Sequence, residues 1–331
     1  MNYATEIKAS EQTPQKSKSY EEIDWLRCIC ILLVVSFHIV YIEQQYYTVY
    51  TVVGIFHVPI FLIISGYLAN VERPLHKLWS SISPWVISYI IMESLYILAA
   101  SHLPVSDHIN SLSFGKFVDL LLLHPIGSYW YLHTLFFCYS FLYISRKLTR
   151  LSKGNQLLVF QMLCFMSNSL GIMSVTNFLY FLLGVLLRSY GFQIDSFRPS
   201  ILAVFPFLWV IIRNLSNPIL PSSLLGFVFV ILTICVFVTL FRNCSGWVRS
   251  IALMIGRNTL PILLFSPIFT FLAKSYQCLL LDIDPSGILF LLVTLVFTCS
   301  ASILIWRMVL LLKCTKRSRP NKKIHKRFIQ D

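Results

Sequence analysis

Between Asn214 and Phe241 the chain runs for 28 residues without one charged side chain. A helix rises 1.5 Å per residue, so about 20 such residues match the ~30 Å hydrocarbon core of a bilayer. The rest of the chain repeats the pattern. Only 12% of the 331 residues are charged and 56% are apolar, against roughly a quarter charged in an ordinary soluble domain. There are too few polar residues to cover a soluble surface of this size. In lipid every backbone group must be satisfied within the structure, which leaves helices or closed barrels. These runs are longer and more uniformly apolar than the ~10-residue alternating strands of a barrel. The expected fold is therefore an all-α, polytopic integral membrane protein with about ten transmembrane helices.

The spans fall near 24–43, 50–69, 80–100, 128–146, 155–174, 176–190, 199–213, 219–241, 254–273 and 286–312. The sixth and seventh are short for a full crossing, and the apolar stretch 117–123 is too short to cross at all. The first apolar run follows a polar stretch and has no small-x-small cleavage site, so it reads as an uncleaved span. Positive loops stay cytoplasmic. The N-terminal segment, the loops at 70–79, 146–154, 188–198 and 242–249, and the tail from Lys313 together hold 21 Lys and Arg, whereas the opposite side holds Lys116, Arg213 and Lys274. Arg27, Arg257 and Arg307 fall within spans. That split predicts both termini inside. The chain divides into a cytoplasmic segment 1–22, a membrane domain 23–312 and a basic cytoplasmic tail 313–331. The tail and the net charge of +13 fit anionic lipid rather than nucleic acid. The nine cysteines are scattered through apolar segments with no CxxC or HExxH spacing, which points to packing and to no metal site.

Ionisable groups inside spans cost about 2.5–3.5 kcal/mol on insertion scales, so each marks a candidate site. In the first span, DWLRCICILLVVSFHIVY, Asp24 and Arg27 sit three residues apart and can pair. His38 follows Arg27 by eleven residues, about three helical turns, so both point to one face with His38 roughly 16 Å deeper. Arg27 alone reads as a snorkelling anchor and His38 alone as a packing hydrogen bond; together they outline a cleft crossing much of the membrane. His57 lies in the outer part of the second span, and Trp130 and His133 at the outer start of the fourth. Tyr129, Trp130 and Tyr131 otherwise read as rings stacked at the headgroup level. Glu93, in the outer half of the third span, needs a partner, for which the His38 imidazole is the candidate.

At these positions the chain resembles the acyltransferase-3 family of bacterial integral-membrane acyltransferases. Arg27, ten intervening residues and His38 are similar to its Arg-x10-His signature. FHVPIFLIISGYL (Phe56 to Leu68) is similar to its apolar run ending in Ser-Gly-Phe/Tyr-Leu. Arg73, Lys77 and Pro84 follow as in the family. YWYL (Tyr129 to Leu132) resembles its Trp-Phe-Leu element, and FLYFLLGVLL (Phe178 to Leu187) its Gly-containing span. GRNTLPILLFSPI (Gly256 to Ile268) resembles its late Gly-x-x-Ser/Thr-Leu motif, except that Leu263 and Ser266 stand where relatives often carry Tyr and His. No catalytic part is assigned to that region.

The resemblance implies an acyl-CoA donor, most often acetyl-CoA, and a sugar hydroxyl on a surface or lipid-linked glycan as acceptor, in a bacterial inner membrane. No metal is called for. Arg27, Arg73 and Lys77 share one level, where their cations can hold the CoA phosphates. His38 is the expected general base with Glu93 beside it, and Asp24, His57, Trp130 and His133 are expected to bind or tune the substrate. A glycan flippase or other secondary transporter is the rival reading, but no inverted repeat or pair of broken spans is seen. A membrane glycan polymerase would carry a larger outer loop.

Overall fold

The structure, a computed structural model, describes residues 18–69, 74–103, 107–148, 152–192 and 203–317. Most of the basic tail and the first 17 residues therefore lie outside the described residues. The described residues form thirteen helices and no strand. They are α1 (Lys18–Phe37), α2 (Val40–Gln45), α3 (Tyr47–Leu68), α4 (Leu75–Ala100), α5 (Phe114–Leu122), α6 (Trp130–Leu148), α7 (Lys153–Ser169), α8 (Val175–Ser189), α9 (Val204–Ser216), α10 (Leu224–Asn243), α11 (Gly246–Arg257), α12 (Thr259–Ile283) and α13 (Ile288–Arg317). In α3, α4, α10, α12 and α13 the helix is long and apolar enough to cross a membrane, and α8 and α9 are shorter apolar helices. The chain is an all-α polytopic membrane protein, and a helix occupies each of the ten stretches read from the sequence.

Two of those stretches are interrupted. The first ends at Phe37, because Ile39 takes an extended backbone and its N–H reaches back only to Ser36; α2 then starts afresh. The ninth is divided at Asn258, whose side-chain amide donates to the Met254 carbonyl at 2.7 Å and so competes with the backbone ladder. Its N-terminal part, α11, is a separate helix, and α12 extends ten residues beyond the expected end, to Ile283. The stretch at 117–123 is mostly taken up by α5, which buries none of its residues fully.

Small residues set the closest packing. A methyl group at Gly66 of α3 would collide with the Phe181 carbonyl of α8, and one at Gly184 with the Ile63 carbonyl. The two backbones touch, as glycine permits in lipid where van der Waals contact drives association. Around that seam Ile60, Ile63, Ile64, Phe178, Phe181 and Val185 form the central apolar core. Gly256 of α11 lies against the Asp24 carbonyl of α1 in the same way.

The N-terminal part of α1 is also tied by charge. Glu21 pairs with Arg249, Glu22 with Arg242, and Asp24 with both Arg257 at 3.0 Å and Arg27 at 3.8 Å. Arg257, read from the sequence as lying within a span, instead closes α11 beside Asp24. At the start of α6, Tyr129 and Tyr131 correct the headgroup reading. Tyr129 is buried and donates to the Leu264 carbonyl at 2.7 Å, and the Tyr131 hydroxyl meets Ser65 at 2.9 Å inside the bundle.

Candidate active site

Arg27, Ile31 and Val34 of α1 and His38, just past its end, recur at three- and four-residue steps and therefore share one face. All four line a single cavity of about 780 Å³ between α1, α3, α6 and α12. From Arg27 to His38 the chain rises roughly 16 Å, and from Thr259 to Lys274, along α12, roughly 22 Å. The cavity thus extends over most of the thickness of a bilayer core. Its lining divides into three levels. At the Arg27 level stand Ser65, Tyr131 and Tyr139, with the Tyr139 hydroxyl donating to the Ser65 carbonyl at 3.1 Å. The middle is apolar: Ile31, Val34, Phe61, Leu135 and Leu263. The far level gathers His38, Glu43, His57, Asp107 and Lys274.

Both histidines at the far level have a fixed tautomer. A backbone carbonyl can only accept, so His38 donates from Nδ1 to the Val34 carbonyl, and His57 donates from Nδ1 to the Val53 carbonyl at 2.7 Å. Each neutral ring therefore keeps its lone pair on Nε2, the nitrogen left available as a base. His57, Glu43 and Asp107 line the same cavity as His38.

Of the residues singled out in the sequence, Arg27, His38, His57 and Trp130 line this cavity. Asp24 stands behind Arg27 as its ion-pair partner. His133 is buried and donates from Nε2 to the Leu122 carbonyl at 2.9 Å. Lys77 is exposed in the first turn of α4 and away from the cavity lining. Arg73 lies outside the described residues.

Glu93 departs most from expectation. It is fully buried, lies behind the cavity wall rather than on it, and accepts the Ile126 N–H at 2.9 Å instead of meeting His38. Tyr89, Glu93 and Tyr96 occupy one face of α4, and that face fastens the segment leading into α6. Tyr89 donates to the Leu121 carbonyl at 2.7 Å. Gly127, at φ +65°, has no room for a Cβ beside the Tyr96 ring. That segment carries Gly127, Ser128 and Trp130 into the cavity wall.

The sequence reading missed Glu43, Ser65, Asp107, Asn177 and Lys274 as lining residues. Lys274 had a signal, being one of three cations on the sparsely charged side. Ser65 had another, since it belongs to the quoted ISGY run. Ser266, left without a role, is buried and donates to the Leu263 carbonyl at 3.2 Å. Pro267, inside α12, cannot donate to that carbonyl four residues back, so the Ser266 hydroxyl satisfies it.

Two findings from comparison bear on this arrangement. The acyltransferase-3 family model, described as an acyltransferase domain, matches residues 20–307. No curated protein and no solved structure matches the chain.

Proposed function

The chain belongs to the acyltransferase-3 family of membrane acyltransferases, and on that premise we propose that it moves an acetyl or related acyl group from acyl-CoA to a sugar hydroxyl. The acceptor is a surface or lipid-linked glycan, and the setting is a bacterial inner membrane with both termini in the cytoplasm. The observation that carries this reading is the one cavity joining a fixed guanidinium, Arg27, to two oriented imidazoles about three turns away.

In this mechanism Arg27 holds the CoA phosphates by charge-assisted hydrogen bonds, with Lys77 adding positive potential; the family resemblance assigns Arg73 the same part. The pantetheine arm runs along the apolar middle level. His38, through Nε2, takes the proton of the acceptor hydroxyl as its oxygen attacks the thioester carbonyl. A new C–O bond forms, the C–S bond breaks, and the CoA sulfur leaves with the proton returned by the imidazolium. His57, Glu43 and Asp107 supply hydrogen bonds to the sugar at the same level. Asp24 orients Arg27. Glu93 is a positioning residue, since it holds the wall and does not reach the cavity. His133 likewise supports the loop before α6.

The test is His38→Gln in the full-length protein, assayed with radiolabelled acetyl-CoA and the cell's own glycan. Glutamine keeps hydrogen-bonding ability and removes useful basicity. Transfer should fall by ~10²–10⁴-fold, the typical worth of a general base. A packing histidine would cost far less, since membrane hydrogen bonds average only ~0.6 kcal/mol. Near-normal transfer by a normally inserted variant rules out His38 as the base.

A further inference from the structure

Beside the main cavity lies a second one of about 270 Å³, lined by His124, Thr134, Gly171 and Ser174 among others, and Trp130 and Asn177 line both. The two rings flanking Trp130 in sequence are built in: Tyr129 is hydrogen-bonded to Leu264 and Tyr131 to Ser65. Trp130 is not. Half-buried, it forms no ring contact, and its indole N–H has no partner among the described residues. The Asn177 amide and the Thr134 hydroxyl are likewise without side-chain hydrogen bonds there, and Ser174 precedes α8 without capping it. Unused polar groups thus stand on the partition between the two cavities, at Trp130 and Asn177, and along the side cavity, at Thr134 and Ser174. An indole presents an apolar face and a polar edge, and a few convergent polar groups beside an apolar wall fix a ligand's orientation.

We infer that the side cavity is a second sugar subsite, so that the acceptor is recognised as at least a disaccharide, with the modified unit in the main cavity, its neighbour in the side cavity, and Trp130 between them. This rests on the acyl-acceptor reading above. The chemistry fits sugars: the C–H faces of a pyranose lie on the indole, while its hydroxyls meet Asn177, Thr134, Ser174 and the outer edge of His124. His124 already pairs with Asp119 at 2.8 Å, so it is held in place on the rim.

The experiment uses membranes containing the full chain, radiolabelled acetyl-CoA, and the cell's surface glycan cut into single sugars, disaccharides and tetrasaccharides. The wild type should show a KM for the disaccharide at least ~10-fold below that for the single sugar, the effect of one or two good hydrogen bonds plus stacking. Ser174→Phe, which fills the side cavity without lining the main one, should erase that preference and leave transfer to single sugars unchanged. Thr134→Val provides a second variant without added bulk and should weaken the preference in part. No preference in the wild type overturns the subsite, as does a preference retained by both variants. A wild type that acylates no fragment at all instead removes the acyl-acceptor reading, and the subsite with it.

Discussion

The two ends of the main cavity are built on opposite principles. At the Arg27 end the carboxylates of α1 are paired. Glu21, Glu22 and Asp24 of α1 are matched by Arg249, Arg242 and Arg257, and Gly256 lets α11 press directly on the Asp24 backbone. At the His38 end α1 stops, and the histidines, two carboxylates and Lys274 face a common space. Paired groups hold helices in place; groups left facing a cavity are available to a ligand. The contrast separates residues that fix the bundle from residues that act within it, even where the amino-acid types are the same.

Arg27 belongs to both descriptions, and its removal is the most severe way to test the division. Asp24 keeps its closer partner, Arg257, at 3.0 Å, so Arg27→Ala should insert and fold normally. Loss of charge-assisted hydrogen bonds, worth about 1.5–3 kcal/mol, should raise the acetyl-CoA KM by ~10–150-fold. An unchanged donor KM would move Arg27 wholly to the structural side.

Gly256→Ala probes the paired end without touching the cavity. Its methyl group meets the Asp24 carbonyl, and overpacking of this kind costs about 1–3 kcal/mol. The expected result is a lower thermal midpoint in detergent, with the donor KM unaltered in the folded fraction. A variant as stable as the wild type would show that α1 and α11 can separate freely.

A smaller effect is expected from Glu93→Gln. The amide oxygen can still accept the Ile126 N–H, so transfer should stay within a few-fold of wild type, whereas Glu93→Ala should lower it by loosening the wall that holds Trp130. Abolished transfer in the Gln variant would instead require a proton on that carboxyl. The smallest change belongs to Ser266→Ala, which orphans one carbonyl, that of Leu263. Stability should drop slightly and transfer should persist. Loss of transfer in a folded protein would place Ser266 in the chemistry.

How far the sequence reached follows the range of each interaction. The shared face of Arg27 and His38 was legible because it depends only on helical period within one segment. The Gly-containing run around Gly184 was visible too, though not that this glycine lies against the Ile63 carbonyl of α3. Pairings over long separations were not legible: Asp24 with Arg257 lies 233 residues apart in sequence. Nor was the fate of Glu93, because its partner is a backbone N–H, which every residue but proline carries and no side-chain pattern announces. Tyr129, Trp130 and Tyr131 look alike in sequence, and only the tertiary structure separates two built-in rings from one left open.

The apolar middle level of the cavity has an electrical consequence. A water-filled passage from the Arg27 level to the Lys274 level would short-circuit the ion gradient that the membrane maintains. Ile31, Val34, Phe61, Leu135 and Leu263 offer water no hydrogen bonds, and an apolar section disfavours a continuous column of water. The cations at both ends add a further barrier to sodium and protons. A long cleft can thus run through the bundle while its two polar ends stay separated by a section that disfavours water.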